Sequence, residues 1–213
     1  MPLSIVLTLI ALGLALALFV GFRANITRTR EGKMLAFVAL LVLPVVAAWS
    51  GFDEHMERAT STQFCLSCHV MSQFGQSLHY DDISYIPALH YENNFVPRDH
   101  ACYTCHTDYG MFGTEKAKIN GLHHIIVQYF GTVPKPENIR LYQPFPNATC
   151  LHCHLGARKF EEVNGHHKTS DMLDKVKSGQ LSCISSGCHD TVHEVGDLKD
   201  AKFWPAAQGM QSK

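Results

Sequence analysis

The sequence has almost no net charge and no recurring basic cluster. Its 213 residues carry 18 Lys and Arg against 19 Asp and Glu, which gives a formal net charge of −1. No Lys/Arg cluster recurs together with aromatic side chains, as a nucleic-acid-binding surface requires. The chain after residue 51 also shows little alternation of apolar and polar residues, the pattern that marks β-strands. We therefore expect no nucleic acid partner and a mainly α fold with much irregular structure.

No cysteine is left over once four related motifs are counted. Three of them read C-x-x-C-H, namely "CLSCH" at 65–69, "CYTCH" at 102–106 and "CLHCH" at 150–154, and a fourth, "CISSGCH" at 183–189, has a longer spacer. In C-x-x-C-H, two thiols form thioethers with a haem and the following histidine binds the iron. Zinc ribbons and disulfides also use cysteine pairs, but neither needs a histidine at one fixed offset. The predicted attachment residues are Cys65, Cys68, Cys102, Cys105, Cys150, Cys153, Cys183 and Cys188.

The fourth motif is either a haem site with a looser loop or an unrelated pair of cysteines. It completes the cysteine count and keeps a histidine directly after its second cysteine. Its spacer contains Gly187, and a glycine at positive φ would let the two extra residues loop out. We therefore predict four haem c groups rather than three.

Two apolar segments stand at the N-terminus. The run from Leu3 to Phe22 contains no charge, and twenty helical residues span roughly 30 Å, the thickness of a bilayer core. The alternative is a cleaved signal peptide, but the charged region that should precede one is missing. A second run, at about 34–50, is shorter and contains Pro44, which can kink a helix. The sequence thus predicts two transmembrane helices in a membrane anchor, residues 1–51.

The connection between the two runs is basic. "RANITRTREGK" carries four Arg and Lys against one Glu, and the positive-inside rule places such a short connection in the cytoplasm. Residues 52–213 would then lie on the periplasmic side of the inner membrane, where c-type haems are attached. This part is short for a chain around four large macrocycles, so we expect a compact multihaem cytochrome c domain whose haems form its core.

The order of these elements resembles the membrane-anchored tetrahaem quinol dehydrogenases of the NapC/NrfH family. The likeness covers roughly residues 34–195 and rests on a membrane helix leading into "FCLSCHVM", followed by "SLH", "CYTCH", "AKINGLHHIIVQYFG", "NATCLHCH", "NGHHK" and "CHDTVH". It implies that the protein oxidises quinol, expected to be menaquinol. The electrons would pass through the haems to a periplasmic reductase or cytochrome partner, with membrane lipid and the quinone pool as further partners.

Three features depart from the family pattern. The family commonly has one membrane helix, so the segment at 3–22 is extra and is a candidate contact for a dimer or a larger membrane complex. His124 stands where relatives usually carry a carboxylate, and the fourth motif is normally C-x-x-C-H.

The proximal iron ligands follow their cysteine pairs. His106, His154 and His189 have this position in the last three motifs. In the first motif His69 has it too, but Met71 lies two residues on and resembles the methionine that binds the first iron in the family. Methionine ligation raises a haem's potential relative to bis-histidine ligation. The other interpretation is that Met71 only packs against the porphyrin.

The distal ligands follow from the resemblance. His79 is implied for the fourth haem, with His90 as the runner-up. His193 is implied for the third haem. His166 or His167 is implied for the second, although in some relatives a partner subunit supplies that ligand.

The quinol site is implied in the segment "AKINGLHHIIVQYFG" and just before it. Lys116, Lys118, His123 and His124 are the candidates to accept protons from quinol. His124 has an alternative role as sixth ligand of the first iron, and the whole set has a plainer interpretation as a solvated face near the membrane.

Two rival functions remain for the chain. One is a pure relay fed by another membrane subunit, without its own quinone site. The other is a reductase of nitrite or hydroxylamine, which needs an open iron and is disfavoured by the surplus of histidines. We expect quinol dehydrogenase activity within a respiratory complex and no independent reductase activity.

Overall fold

The computed structural model describes residues 3–23, 25–141, 145–185, 187–190, 192–193, 195–196, 198 and 200–204. Of the fourth cysteine motif, Ser186 lies outside the described residues. The chain divides into two units, Met1–Thr60 and Ser61–Lys213. The boundary therefore falls after residue 60, whereas the sequence predicted a division after residue 51.

The described structure is helical, as predicted. Its α-helices are α1 Leu3–Phe22, α2 Arg30–Phe37, α3 Leu43–Arg58, α4 Thr62–Leu66, α5 Ser72–Ser77, α6 Ile86–Glu92, α7 Ala101–Cys105, α8 Gly113–Phe130, α9 Asn147–His154, α10 Arg158–Glu162 and α11 Met172–Lys177. Short 3-10 helices cover Ile26–Arg28, His69–Met71, Arg98–His100, Pro136–Asn138 and Asn164–His167. No β-strand occurs among the described residues, where an isolated antiparallel bridge joins Tyr80 to Phe203.

The first unit contains two antiparallel helices that are long and apolar enough to cross a membrane. A Cβ atom built at Gly13 would lie 3.6 Å from Cβ of Leu43, and one at Gly51 would lie 3.7 Å from Cγ1 of Val6. Small residues at these points let the two backbones approach closely, as in other membrane helix pairs. Most leucine and phenylalanine side chains of the pair point outward and are exposed, which is the arrangement expected in lipid.

The second span is longer than its apolar run. It extends over Arg30–Arg58, beyond the predicted 34–50 at both ends. Thr29 caps its start by accepting a hydrogen bond from the Gly32 N–H at 3.1 Å. Only glycine fits at position 32, because a Cβ there would lie 1.7 Å from the Ile26 carbonyl oxygen. An Arg58–Glu54 pair at 2.6 Å supports the last turn.

A wide turn precedes Pro44 in this span. Residues Val38–Val42 form a π-helical segment, in which the Leu43 N–H bonds to the carbonyl of Val38, five residues back. Proline has no N–H and its ring clashes with the carbonyl four residues before it. The wider turn accommodates that defect while the helix continues.

The second unit has a small apolar core of protein side chains. Its cluster consists of Tyr80, Tyr85 and Ala88, with Leu198 and Phe203 among the side chains packed against it. The rings of Tyr80 and Tyr85 meet edge to face at 4.5 Å. So small a core fits a domain completed by large cofactors, and the haem core itself stays a prediction.

Candidate functional site

Short helices carry two of the four cysteine pairs. Helix α7 holds both cysteines of the second motif, and α9 holds both cysteines and the histidine of the third. Residues three apart lie on the same side of a helix, so a C-x-x-C pair on one turn presents both thiols in one direction. All eight cysteines are described, and none of them forms a disulfide.

The fourth motif contains the same backbone hydrogen bond as the second, from the histidine N–H to the carbonyl of the first cysteine. The His106 N–H donates to the Cys102 carbonyl at 2.9 Å, and the His189 N–H donates to the Cys183 carbonyl at 3.1 Å. The same two positions of the motif are thus bonded although the spacer is two residues longer. Gly187 has φ +78°, a conformation that glycine adopts without the steric penalty of a side chain.

The first cysteines of neighbouring motifs lie together in two pairs. A hydrogen bond joins the thiols of Cys65 and Cys102, and it is the main cause that lowers the pKa of Cys65 to about 7 and raises that of Cys102. The same contact between Cys150 and Cys183 lowers the pKa of Cys150 and raises that of Cys183. Motifs one and two therefore form one contact pair, and motifs three and four form another.

In each pair of motifs, one buried polar side chain connects the two motifs by hydrogen bonds. Thr62, three residues before Cys65, donates to the Arg98 carbonyl at 2.8 Å and accepts from the Ala101 N–H at 2.9 Å. Both of its partners lie just before the second motif.

Asn147 is the counterpart in the other pair. It stands three residues before Cys150 and donates to the carbonyls of Val176 and Leu181 at 2.8 and 2.7 Å. Its own oxygen accepts from the Cys183 N–H at 3.0 Å. Sequence analysis missed both residues, and the only signal for them was a small polar residue at the same offset before motifs one and three.

Three motif histidines each face a histidine from elsewhere in the chain. The ring centroids of His106 and His193 are 6.1 Å apart, and those of His154 and His90 are 6.0 Å apart. Those of His189 and His166 are 6.1 Å apart. Two imidazole nitrogens bound about 2 Å from a metal on opposite sides place their ring centroids roughly 6 Å apart. These pairs therefore fit the two axial positions of a haem iron.

Hydrogen bonds at the other ring nitrogen orient two of these histidines. His90 Nδ1 lies 2.9 Å from the Ile86 carbonyl oxygen, and His166 Nδ1 lies 2.8 Å from that of Phe160. An Nδ1–H held in this way leaves Nε2 with its lone pair for a metal, the usual arrangement around metal-bound histidine. His167 differs, since its Nε2 lies 2.6 Å from the Glu161 carbonyl oxygen.

His193 occupies a special backbone position. Its φ is +54°, in the left-handed region, and its Nδ1 is buried without a hydrogen-bond partner in the protein. Burial, and then the charge of His106, lower its pKa to about 4. The imidazole is therefore neutral near pH 7, which is the form that binds metals.

The histidine pairings differ from those the resemblance implied. His193 faces the histidine of the second motif rather than the third, and His166 faces that of the fourth rather than the second. His90, the runner-up, faces the third motif. His79 instead forms a 2.6 Å hydrogen bond from Nδ1 to Glu92 and meets the Tyr91 ring edge to face at 5.1 Å.

The first motif has a different surrounding. His69 is exposed, and it lies with Met71 on one 3-10 turn. None of the described ring contacts joins His69 to another histidine. His69 lines a cleft of about 460 Å³ together with Gln73, Pro134 and Lys135.

The candidate quinol residues all lie on α8, but their exposure and their neighbours differ. Lys116 is exposed and forms a 2.6 Å ion pair with Asp108. Lys118 is half-buried, with its ammonium 4.8 Å from the ring centre of Tyr103 and 5.8 Å from that of Phe64. Burial lowers its pKa, and the nearby Cys65 acts in the opposite direction. Lys118 is thus the lysine that approaches the first motif.

The two histidines of α8 lie one after the other. Desolvation, and then the charge of His123, lower the pKa of His124. Desolvation, and then the charge of His124, lower the pKa of His106 in the second motif. His124 is therefore close enough to His106 to influence its charge state.

The described residues contain no cluster of three or more His, Cys, Asp or Glu side chains able to hold a metal ion. A zinc ribbon requires four converging ligands. Histidine pairs next to cysteine pairs fit haem c, which takes its other iron bonds from the porphyrin.

Comparisons with known proteins agree with this chemistry. The model of the NapC/NirT cytochrome c family, N-terminal region, matches residues 26–198. The cytochrome c-type protein NapC of Escherichia coli K12 is 26% identical over 193 residues, covering 81% of this chain and 90% of that protein. The NapC of Haemophilus influenzae is 22% identical over 186 residues, covering 79% and 86%. No solved structure matches the chain at a significant level.

Proposed function

Since the chain belongs to the NapC/NirT family of c-type cytochromes, we propose that it oxidises membrane quinol and delivers the electrons through four haems to a periplasmic reductase or cytochrome. It is a membrane-anchored electron-transfer protein that carries haem c. The proposal covers three further points: the electron donor is quinol, the number of haems is four, and residues 61–213 lie on the periplasmic side. Proteins of this family work with periplasmic reductases.

The observation that carries the proposal is the set of three histidine pairs. We assign His106 with His193, His154 with His90, and His189 with His166 as axial ligand pairs, because their ring separations of 6.0–6.1 Å fit an iron between them. Bound haem supplies reversible one-electron transfer. With both axial positions taken by protein, such irons are suited to relay electrons and unsuited to bind nitrite or hydroxylamine.

The first motif is proposed as the entry point. His69 and Met71 share one turn, and either can reach a haem attached at Cys65 and Cys68. Methionine at this position would raise the potential of the first haem, which favours the transfer of an electron from quinol. His79 also has a bonded Nδ1, which lies 2.6 Å from Glu92 and leaves Nε2 free, but none of the described ring contacts places it opposite a motif histidine.

Lys118 is proposed as the group that receives a quinol proton. It lies beside Cys65, and burial lowers its pKa, so its neutral form is more accessible near pH 7 than that of a surface lysine. A neutral amine next to a quinol hydroxyl accepts the proton released as the electron leaves. His123 and His124, five and six residues further along the same helix, are the candidates to carry that proton onward.

The test uses the purified holoprotein and a water-soluble menaquinol analogue. We expect haem reduction that a quinone-site inhibitor blocks, and a rate at least about tenfold lower after Lys118→Gln, the size of a lost general base. Lys116→Gln is the matched control, since Lys116 is an exposed lysine on the same helix already paired with Asp108. It should leave the rate within about twofold.

Two outcomes would count against the proposal in different ways. No reduction by quinol, with full reduction by a chemical reductant, would favour the pure relay fed by another subunit. Normal quinol oxidation by both lysine variants would support quinol oxidation as the function and would show that Lys118 is not the proton acceptor. His124→Ala then examines the remaining base, and an unchanged rate with an unchanged spectrum would remove His124 as base and as iron ligand.

A further inference from the structure

Helix α8 exposes its apolar side, which is the reverse of a typical helix on the surface of a soluble domain. At 100° per residue, Ile119, Leu122, Ile126 and Phe130 fall on one side. Ala117, Gly121 and Gln128 fall on the opposite side and are partly buried. A helix packed on a protein normally buries its apolar side and exposes its polar one. Here the small and polar side faces the domain and the apolar side faces outward.

The domain leaves more than half of the surface of each side chain on the outward side exposed. Ile119 is 66% exposed, Ile126 55% and Phe130 87%. Phe112, directly before the helix, continues the same line and is 70% exposed. With Leu122 and Tyr129 also exposed, this forms one apolar strip along about 27 Å of helix, for 18 residues at about 1.5 Å each. Contiguous apolar surface of this kind marks a contact with a membrane or a partner.

We infer that this strip, defined by Phe112, Ile119, Leu122, Ile126 and Phe130, lies in the surface of the lipid bilayer. Helix α8 would rest in the interface between headgroups and acyl chains, parallel to the membrane. The occupant of the strip is lipid, and it is distinct from the two spans that cross the membrane.

Chain connectivity is the first argument for lipid. The span Arg30–Arg58 has 29 residues, or about 44 Å, which equals a bilayer of about 40–45 Å including its headgroups. It therefore ends near the outer edge of the headgroups. The second unit starts at Ser61, a few residues later, so it is tethered at the membrane surface. A tethered domain meets lipid at an effective concentration no soluble partner reaches.

Composition is the second argument. Aromatic residues concentrate at the interface between membrane and water, and Tyr129 and Phe130 end the helix with 75% and 87% of their surface exposed. Lys116 and Lys118 lie on the same helix as the apolar strip, and interfacial helices are commonly rich in lysine. Glu115, the one acidic residue of α8, falls on the same side as the strip at 100° per residue, but it stands in the first turn, where the positive end of the helix dipole stabilises a carboxylate.

The experiment measures the accessibility of single cysteines in the full-length holoprotein, reconstituted in liposomes at low protein-to-lipid ratio. Ile126→Cys places a thiol in the centre of the strip. Asn120→Cys is the matched control, because Asn120 is an exposed polar residue of the same helix outside the strip. Each variant is reacted with a charged, membrane-impermeant maleimide and with an apolar one, and the parent protein reports any labelling of its own cysteines. An unchanged visible spectrum confirms that the variant has folded.

We expect the charged reagent to label position 126 at least about tenfold more slowly than position 120, and the apolar reagent to label both at similar rates. Equal labelling of 126 and 120 by the charged reagent would overturn the inference. Protection of 126 that disappears on dilution with extra lipid would overturn it too, since it would identify a second copy of the chain as the occupant. Neither measurement involves quinol, so the result is independent of the proposed function.

Discussion

At the scale of single residues, the free ring nitrogen decides which histidine can serve an iron. His166 and His167 are neighbours, yet the first has Nδ1 bonded to a carbonyl and the second has Nε2 bonded to one. His90 and His79 resemble His166 in this respect, since Nδ1 is bonded to a carbonyl in His90 and to a carboxylate in His79. Sequence offers no way to separate such neighbours, because the choice depends on which backbone carbonyl lies within reach.

The first prediction compares these neighbours. His166→Ala should remove an axial ligand, so that one low-spin haem becomes high-spin. His167→Ala should leave the spin states of the parent protein unchanged, because its Nε2 is already bonded to the Glu161 carbonyl. Electron paramagnetic resonance of the two oxidised variants checks this. A high-spin signal in His167→Ala alone would reverse the assignment.

The second prediction concerns Asn147, which makes three hydrogen bonds from a nearly buried side chain. Asn147→Ala leaves two carbonyls and the Cys183 N–H without this partner, and at about 1 kcal/mol for each bond the free energy of unfolding should fall by roughly 2–4 kcal/mol. Denaturant unfolding followed by far-ultraviolet circular dichroism measures the loss. The exposed Asn138 is the control, and Asn138→Ala should change the value by no more than about 0.5 kcal/mol. An equal loss of unfolding free energy in the two variants would refute the role of Asn147 in connecting motifs three and four.

At the scale of elements, the longer fourth motif is a loop that closes like a helical turn. The bond from the His189 N–H to the Cys183 carbonyl corresponds to the one from the His106 N–H to the Cys102 carbonyl, and Gly187 in the longer spacer lies at positive φ. A spacer of four is thereby compatible with the same attachment chemistry.

The third prediction tests that turn. Gly187→Ala puts a side chain at φ +78°, which costs about 1–2 kcal/mol. We expect a larger fraction of molecules that lack one haem, measured by intact mass spectrometry. Gly121→Ala is the control, because a Cβ there meets nothing within 4 Å and Gly121 lies in a helix. A haem content equal in both variants would show that the turn needs no glycine.

At the scale of the whole molecule, the chain joins a membrane anchor to a domain built of two pairs of motifs. Cys65 with Cys102 and Cys150 with Cys183 form the contacts inside these pairs. Haems attached at two paired motifs would lie close together, which is the spacing that an electron relay requires.

The fourth prediction follows for the complete protein. Intact mass spectrometry should find four haems attached. In Cys183→Ala/Cys188→Ala it should find three, since these two cysteines belong to one site. A parent protein with three haems would contradict the fourth attachment site, whatever the quinol experiment shows.

The sequence by itself determined the covalent chemistry and the membrane anchor. Cysteine and histidine spacing identifies haem attachment because the chemistry acts on neighbouring residues, and two uncharged runs identify spans because a bilayer demands a fixed apolar length. The mainly helical fold also followed from local pattern. The tertiary structure alone decided which histidines face each other, since the members of each pair are 23 to 87 residues apart in the sequence.

 Counted along the chain, His90 and His154 are 64 residues apart, His166 and His189 are 23 apart, and His106 and His193 are 87 apart. No local pattern links residues at such separations, because their approach is set by how the short helices pack. The same holds for Thr62 and Asn147, whose partners come from distant segments, and for the apolar strip of α8, whose outward direction depends on which side of the helix the domain covers.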